Sequence, residues 1–303
     1  MSNLSLALRE KLIGEFEIRP ITIDQSQHSA DGTMKCTFKL FDGNIIEGVL
    51  IPTDTRVTAC ISSQVGCSLS CKFCATGYLE RMRNLSPGEI YDQVVLLNAA
   101  AEKNYGQKLS NIVFMGMGEP LLNYANVLSA IDKITGEHGL NISAKRITVS
   151  TAGIAKMIKK LADDGVKFNL ALSLHAANDT KRDTIMPINE SNNLNALVDA
   201  LNYFYQLTKN KITFEYLLLS GVNDSIDAAK ELLELCKRVP AKVNIIEYNP
   251  IDNADFIKSG ESQSERFINY LETHRVTAKV RRSRGKDIDA ACGQLANKQQ
   301  GEN

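Results

Sequence analysis

Six short β-branched runs bounded by turn signals recur along this chain, at 56–62 (RVTACIS), 111–115 (NIVFM), 146–151 (RITVST), 168–174 (FNLALSL), 212–219 (ITFEYLLL) and 243–248 (VNIIEY). Helix-period stretches at 87–103, 125–138, 154–165, 194–209 and 225–239 fill most of the gaps. Strands that alternate with amphipathic helices cannot pair as hairpins. Each helix carries the chain back over the sheet, so neighbouring strands run parallel. Six such units rather than eight predict an α/β fold whose sheet is an open, partial (β/α)6 barrel. Active sites of such barrels lie at the C-terminal ends of the strands. Polar motifs follow the strands at 116–120 (GMGEP), 150–153 (STAG), 173–175 (SLH) and 248–250 (YNP), so they point to one mouth.

The ends read differently. Residues 1–55 hold FEIRPITI and TMKCTFKLFDGNIIEGVLIP, whose Asp42-Gly43-Asn44 has hairpin-turn chemistry. They predict a small β-rich extension before a barrel domain at 56–297. RVTAKVRRSRG adds a seventh strand or an edge, and 298–303 form a polar tail. The N-terminus has no apolar signal region, and no stretch approaches the roughly 18 apolar residues of a membrane span. Seven cysteines, an odd number with three in one loop, suit a reducing compartment, so a cytoplasmic location is expected. Cys36 and Cys236 read as ordinary buried residues. Net charge is zero, which does not announce a nucleic-acid binder. Locally, however, Arg275, Lys279, Arg281, Arg282, Arg284 and Lys286 form a basic strip without an acid just before Cys292. Such a strip is usually a solvated face; beside a candidate reactive cysteine it suits phosphate contacts.

Directly after the first barrel strand comes Cys67-x3-Cys71-x-Phe73-Cys74. An iron-sulfur cube takes four thiolates, so a three-cysteine loop leaves one iron free. Structural zinc sites use two separated pairs or mixed Cys/His sets, and no second pair exists here. The loop resembles that of radical S-adenosylmethionine (SAM) enzymes, which implies one [4Fe-4S] cluster on Cys67, Cys71 and Cys74. In those enzymes the free iron chelates SAM, and an electron cleaves it to a 5′-deoxyadenosyl radical.

ACISSQVGCSLSCKFCATG, MGMGEPLLN, SLHA, Asn249-Pro250 and RRSRGKDIDAACGQLA together resemble the RlmN/Cfr family of radical SAM RNA methyltransferases, over about residues 45–297. The resemblance implies a two-stage methyl transfer to an adenine ring carbon. Cys292 takes a methyl from a first SAM; the radical from a second removes hydrogen from that S-methyl group, and the carbon radical adds to the base. Cys60 holds the position of the resolving cysteine that releases product through a transient Cys60–Cys292 disulfide, and Glu47 that of the proton-accepting carboxylate. For SAM, the resemblance and strand-end placement give Gly118 and Glu119 the ammonium, Ser150, Ser173, Leu174 and His175 the carboxylate and ribose, Asn249 the adenine or ribose edge, and Phe73 the adenine face. Read from the residues alone, Cys60 and Cys292 are equally small packing residues, Glu47 an exposed edge-strand glutamate and His175 a satisfied core histidine.

The match has departures. Only 59 residues precede Cys60, too few for the family's helical RNA-gripping module plus the hairpin, and CATGYLERMRNLSPGEI is not the glycine-rich loop expected after the cluster cysteines. The ending GKDIDAACGQLA favours C2 methylation over the Cfr-like C8 alternative. A non-catalytic iron-sulfur or zinc protein that binds RNA or carries electrons is the remaining class. Implied partners are ribosomal or transfer RNA and an electron donor such as flavodoxin; a monomer is expected.

Overall fold

The structure is a computed structural model and describes residues 4–15 and 21–297. The expected tail at 298–303 and the start of the FEIRPITI run lie outside the described residues. In chain order the elements are α1 (Leu6–Glu15), β1 (Thr22–His28), β2 (Met34–Lys39), β3 (Ile45–Thr53), β4 (Arg56–Cys60), β5 (Gln64–Val65), β6 (Arg83–Asn84), α2 (Pro87–Tyr105), β7 (Asn111–Phe114), α3 (Tyr124–Thr135) and β8 (Ile147–Thr151). They continue with α4 (Ala155–Asp163), β9 (Asn169–Ser173), α5 (Asp179–Ile185), α6 (Leu194–Thr208), β10 (Ile212–Leu218), α7 (Ile226–Arg238), β11 (Ala241–Glu247), α8 (Glu261–Thr273) and β12 (Ala278–Arg281).

Ten strands form one sheet in the order β1-β2-β3-β4-β7-β8-β9-β10-β11-β12. From β4 to β12 every pairing is parallel. β1 to β4 are antiparallel to one another and extend the sheet at its first edge. Among the described residues the sheet does not close, so the fold is the open, partial-barrel α/β arrangement that the strand count predicts. The parallel strands are apolar on the face that the crossover helices cover, whereas Thr148, Ser150, Ser173, Thr213, Glu215 and Asn244 share the opposite face. Ile112, Phe114, Ile147, Leu170, Phe214 and Val243 are almost wholly buried against Leu97, Ile134, Phe204 and Leu232 of the helices.

Local chemistry sets the boundaries. Ser86 and Glu89 form a reciprocal capping box at the start of α2, Pro87 occupies its first turn, and Gly106 ends it in the left-handed conformation. Beyond the pattern read from sequence lie α1, the short α5, and α8. α1 buries none of its residues, so no apolar stripe marked it within a segment expected to be β-rich. α8 buries only Phe267 and Leu271, too few to show a clear period. No helix among the described residues is long and apolar enough to cross a membrane.

Candidate active site

One cavity opens at the C-terminal ends of the parallel strands. Its wall includes Cys67, Cys71, Phe73 and Cys74 from the loop after β4, Gly118 and Glu119 after β7, Ser150 at the end of β8, Ser173 and His175 at the end of β9, and Cys292. All seven cysteines are free thiols.

The cysteine loop is anchored by backbone bonds: Lys72 N donates to Ile185 O at 3.0 Å and Cys74 N to Cys71 O at 3.2 Å. Burial pushes Cys67 up to about 11. Burial raises Cys71 as well, and its neighbours Cys74 and Cys67 add to the effect; burial likewise raises Cys74. Three neighbouring thiols on one loop at the cavity wall are a donor set suited to metal, because cation binding displaces protons from sulfur. Among the described residues no three Cys, His, Asp or Glu are set around a single ion. A cube spreads its cysteines over three different irons, so this donor set fits a cluster better than one zinc.

The β7 loop comes close to the chain just before the cysteines. Gly118 sits at φ 92°, and a Cβ there would lie 2.5 Å from Gln64 Cβ. Only glycine fits both conditions. Glu119, 3% exposed, accepts from Leu121 N at 2.9 Å and Ala152 N at 2.7 Å, yet burial still pushes its carboxyl up to about 7. Ser150 and Ser173 face each other, Oγ to Oγ at 3.4 Å. His175 takes a left-handed backbone at φ 57° and accepts from Leu217 N through Nδ1 at 3.0 Å. That bond places its proton on Nε2. Burial, then the nearby Arg182, push His175 down to about 3, so the ring is neutral. Phe73 packs edge-on against it with centroids 4.5 Å apart.

Not every residue singled out from sequence faces the cavity. Leu174 is fully buried in the main core and contributes backbone bonds to Glu215 and Arg182. Asn249 donates from Nδ2 to Cys292 O at 3.2 Å, while its buried Oδ1 has no hydrogen-bond partner. Cys60 ends β4 behind the wall, 8% exposed, and burial followed by Cys292 pushes it up to about 12. Glu47, 1% exposed, pairs through Oε1 with Lys35 Nζ at 3.4 Å; its Oε2 accepts from Ala296 N at 2.9 Å and Asn297 N at 3.2 Å. Far from being a solvated edge glutamate, it clasps the segment carrying Cys292.

That segment has little regular structure. Gly293 lies at φ 86°, where a Cβ would meet Phe73 O at 3.2 Å, and its carbonyl accepts from Ala75 N at 2.7 Å. The cysteine of one end of the chain is thereby laid against the cysteine loop of the other. Cys292 is accessible from the cavity while deep within protein; burial raises its thiol and Arg281 counteracts.

Sequence reasoning missed several contributors. Arg281 counted as one basic residue in a strip, but it turns inward, with Nη1 3.3 Å from Met115 Sδ and 3.9 Å from Glu215 Oε2. Lys286 pairs with Glu247 at 2.8 Å and Arg284 donates to Asp31 O at 2.9 Å. Arg275, Lys279 and Arg282 are exposed. Buried Arg182 ties Leu174 O, Ser173 O, Ala152 O and Asn189 Oδ1 together beneath the site. Its polar TKRDT context carried no signal of burial.

The chain matches the radical SAM superfamily model over residues 61–236. It is 62% identical to a probable dual-specificity RNA methyltransferase RlmN of Cytophaga hutchinsonii, over 99% of this chain and 82% of that protein. Against the probable RlmN of Salinibacter ruber the identity is 48%, over 98% of this chain and 83% of that one. The crystal structure of a radical SAM methyltransferase from Sphaerobacter thermophilus superposes with a TM-score of 0.92 at 40% identity, covering 97% of this chain and 86% of the other.

Proposed function

Since this chain belongs to the RlmN family of radical SAM RNA methyltransferases, we propose that it methylates an adenine ring carbon, C2 in preference to C8, in ribosomal and transfer RNA. The description of its relatives as dual-specificity enzymes supports two classes of RNA. The observation that carries the reading is the shared wall: Cys292 lines the same cavity as Cys67, Cys71 and Cys74, with Cys60 in electrostatic reach behind it. A simple electron carrier has no use for such a pair.

Cys67, Cys71 and Cys74 would hold a [4Fe-4S] cluster, which when bound would supply the electron for the radical chemistry of SAM. The chain's own groups do the rest. Glu119 and the Gly118 carbonyl receive the methionine ammonium, His175 offers Nε2–H with the Ser150 and Ser173 hydroxyls to carboxylate and ribose, and Phe73 covers the adenine. Cys292 accepts the first methyl as a thiolate, which Arg281 favours against the cost of burial. Asn249 on the Cys292 carbonyl and Ala75 on the Gly293 carbonyl fix the backbone that follows that sulfur.

Once the radical adduct has given back the electron that began the reaction and lost the proton of the attacked ring carbon, the base is joined to Cys292 through a methylene, and the Cys60 thiolate attacks Cys292 Sγ. The S–S bond forms, the S–C bond breaks, and the methylene leaves with the electron pair. Glu47, the proton acceptor implied by the resemblance, reaches the adduct only after its bonds to Lys35, Ala296 and Asn297 part.

The test is anaerobic incubation of the cluster-loaded protein with SAM, a reductant and RNA lacking the modification, then mass spectrometry of the nucleosides. We expect 2-methyladenosine in the wild type, none in Cys292→Ala, and an RNA-linked protein band in Cys60→Ala. Deoxyadenosine without any methylated adenosine would remove the RNA assignment.

A further inference from the structure

Release of the methyl group needs a proton at one particular atom. When Cys60 attacks Cys292 Sγ, the departing methylene carbon, one bond from that sulfur, carries the pair and must be protonated. Cys292 lies on the wall of a cavity that also carries carboxyl side chains, and a positioned carboxylic acid delivers such a proton faster than water does. Glu119 accepts backbone N–H bonds on both carboxyl oxygens, and both oxygens of Glu47 are occupied behind the Cys292 segment.

Glu215 is differently placed. It lies mid-way along β10, in register with Ser173 of β9 and Asn244 of β11, is 4% exposed, and lines the cavity together with Cys292. Its Oε1 accepts from Asn244 Nδ2 at 2.9 Å. Its Oε2 is buried without a hydrogen-bond partner, and Arg281 Nη1 stands 3.9 Å away. A buried carboxyl oxygen left without a hydrogen bond at a cavity wall calls for a function. Burial raises the Glu215 pKa even against Arg281, which favours the protonated form.

We propose that Glu215 is the acid that protonates the leaving methylene, with Arg281 as its positioning partner. The inference rests on the RNA methyltransferase reading above. The step balances: Cys60 thiolate, Cys292 thioether and Glu215 carboxylic acid become the Cys60–Cys292 disulfide, the methylated base and the Glu215 carboxylate. The thioether S–C bond breaks as the S–S bond forms, the pair passes to carbon, and the Oε2 proton follows it. The carboxylate so formed already faces a guanidinium. The same Arg281 couples to Cys60 and Cys292, so one cation steadies the attacking thiolate before the step and the spent acid after it.

Glu215→Gln keeps the volume and the acceptor for Asn244 but has no transferable proton. With Cys60 intact, SAM, reductant and RNA, this variant should accumulate RNA-linked Cys292, seen on denaturing gels and by mass spectrometry of the Cys292 peptide. Methylated adenosine release should fall by about 100-fold, the scale of a lost general acid, with first-turnover deoxyadenosine unchanged. Glu215→Asp, still an acid, should recover part of the release and shed the adduct. Wild-type release without adduct in Glu215→Gln overturns the proposal. So does an aspartate variant as inert as the glutamine one, with neither adduct nor deoxyadenosine, because that is the signature of packing. Absence of methylated adenosine from the wild type in the same experiment overturns the underlying reading instead.

Discussion

The two halves of the site are held in opposite ways. The half assigned to SAM stands on ends of parallel strands and is fixed largely by bonds to backbone groups: Glu119 N donates to Gln64 Oε1 at 2.8 Å, Leu217 N to His175 Nδ1, and the Arg182 guanidinium to a set of carbonyls. The half that carries Cys292 is an irregular segment hung on carboxylates. Asp31 Oδ2 takes Gly285 N at 2.9 Å, Asp287 takes Ser29 Oγ at 2.5 Å and Ala30 N at 3.1 Å, and Glu47 takes Ala296 and Asn297. Backbone ladders in a buried sheet open together with the core, whereas a handful of side-chain contacts can open locally. A rigid cradle and a separately tethered cysteine suit a reaction in which the sulfur meets two SAM molecules and then a base.

The largest effects should separate the halves outright. Cys71→Ala should abolish both deoxyadenosine and methylated RNA, while Cys292→Ala should abolish only the methylated RNA; measuring both products in both variants breaks the comparison if the two lesions behave alike. Next comes Glu47→Gln, which leaves Lys35 buried and unpaired. Breaking a buried pair from one side costs about 3 kcal/mol, and the loss should concentrate in the clasp. Hydrogen exchange should rise at 290–297 and in β2 and β3, with β8 to β10 unchanged. Lys35→Met combined with Glu47→Gln should recover part of the loss, since the uncompensated charge is gone.

Acid should loosen the second half first. Burial pushes Asp31 up but is outweighed by hydrogen bonds from Thr33, Gly285 and Ser29, which hold it near 2 instead of 3.8. Glu247 likewise falls to about 2, burial being overcome by Lys286 and Lys258, and hydrogen bonds from Ser29 and Ala30 lower Asp287. Folded values below the unfolded ones mean a contribution complete above the ordinary carboxylate range and lost as pH falls toward 2. Proteolysis between 282 and 297 by an acid-active protease should therefore rise as pH falls from about 4, before the parallel sheet loses its circular dichroism.

This division also decides what could be read in the sequence. Periodicity located the seven parallel strands and the longer helices because local patterning and buried sheet positions coincide there. The Cys67–Cys74 loop and the strand-end motifs were legible for the same reason. The pairings of Glu47, Arg281 and Glu215 were not, since their partners lie at Lys35 and Ala296, at Met115, and at Asn244, and no spacing in one chain records them. Arg281 looked like part of a basic surface because Lys279 and Arg282 beside it are exposed; Lys279 shares its face of β12 two residues back, and what sets Arg281 apart is its reach to Glu215 and Met115.

The finest distinction rests on Asn249, where the two halves touch. Its Nδ2 bond to Cys292 O is one neutral hydrogen bond, worth about 1 kcal/mol, while its Oδ1 is left unpaired. If Asn249 serves chiefly to hold the Cys292 backbone, Asn249→Ala should slow methyl transfer to Cys292 by roughly 5-fold and leave SAM affinity unchanged. If the amide reads the adenine or ribose edge as expected from sequence, SAM affinity should fall by a similar factor instead. Equilibrium SAM binding and the mass of the Cys292 peptide, measured on the one variant, assign the residue to the cradle or to the tether.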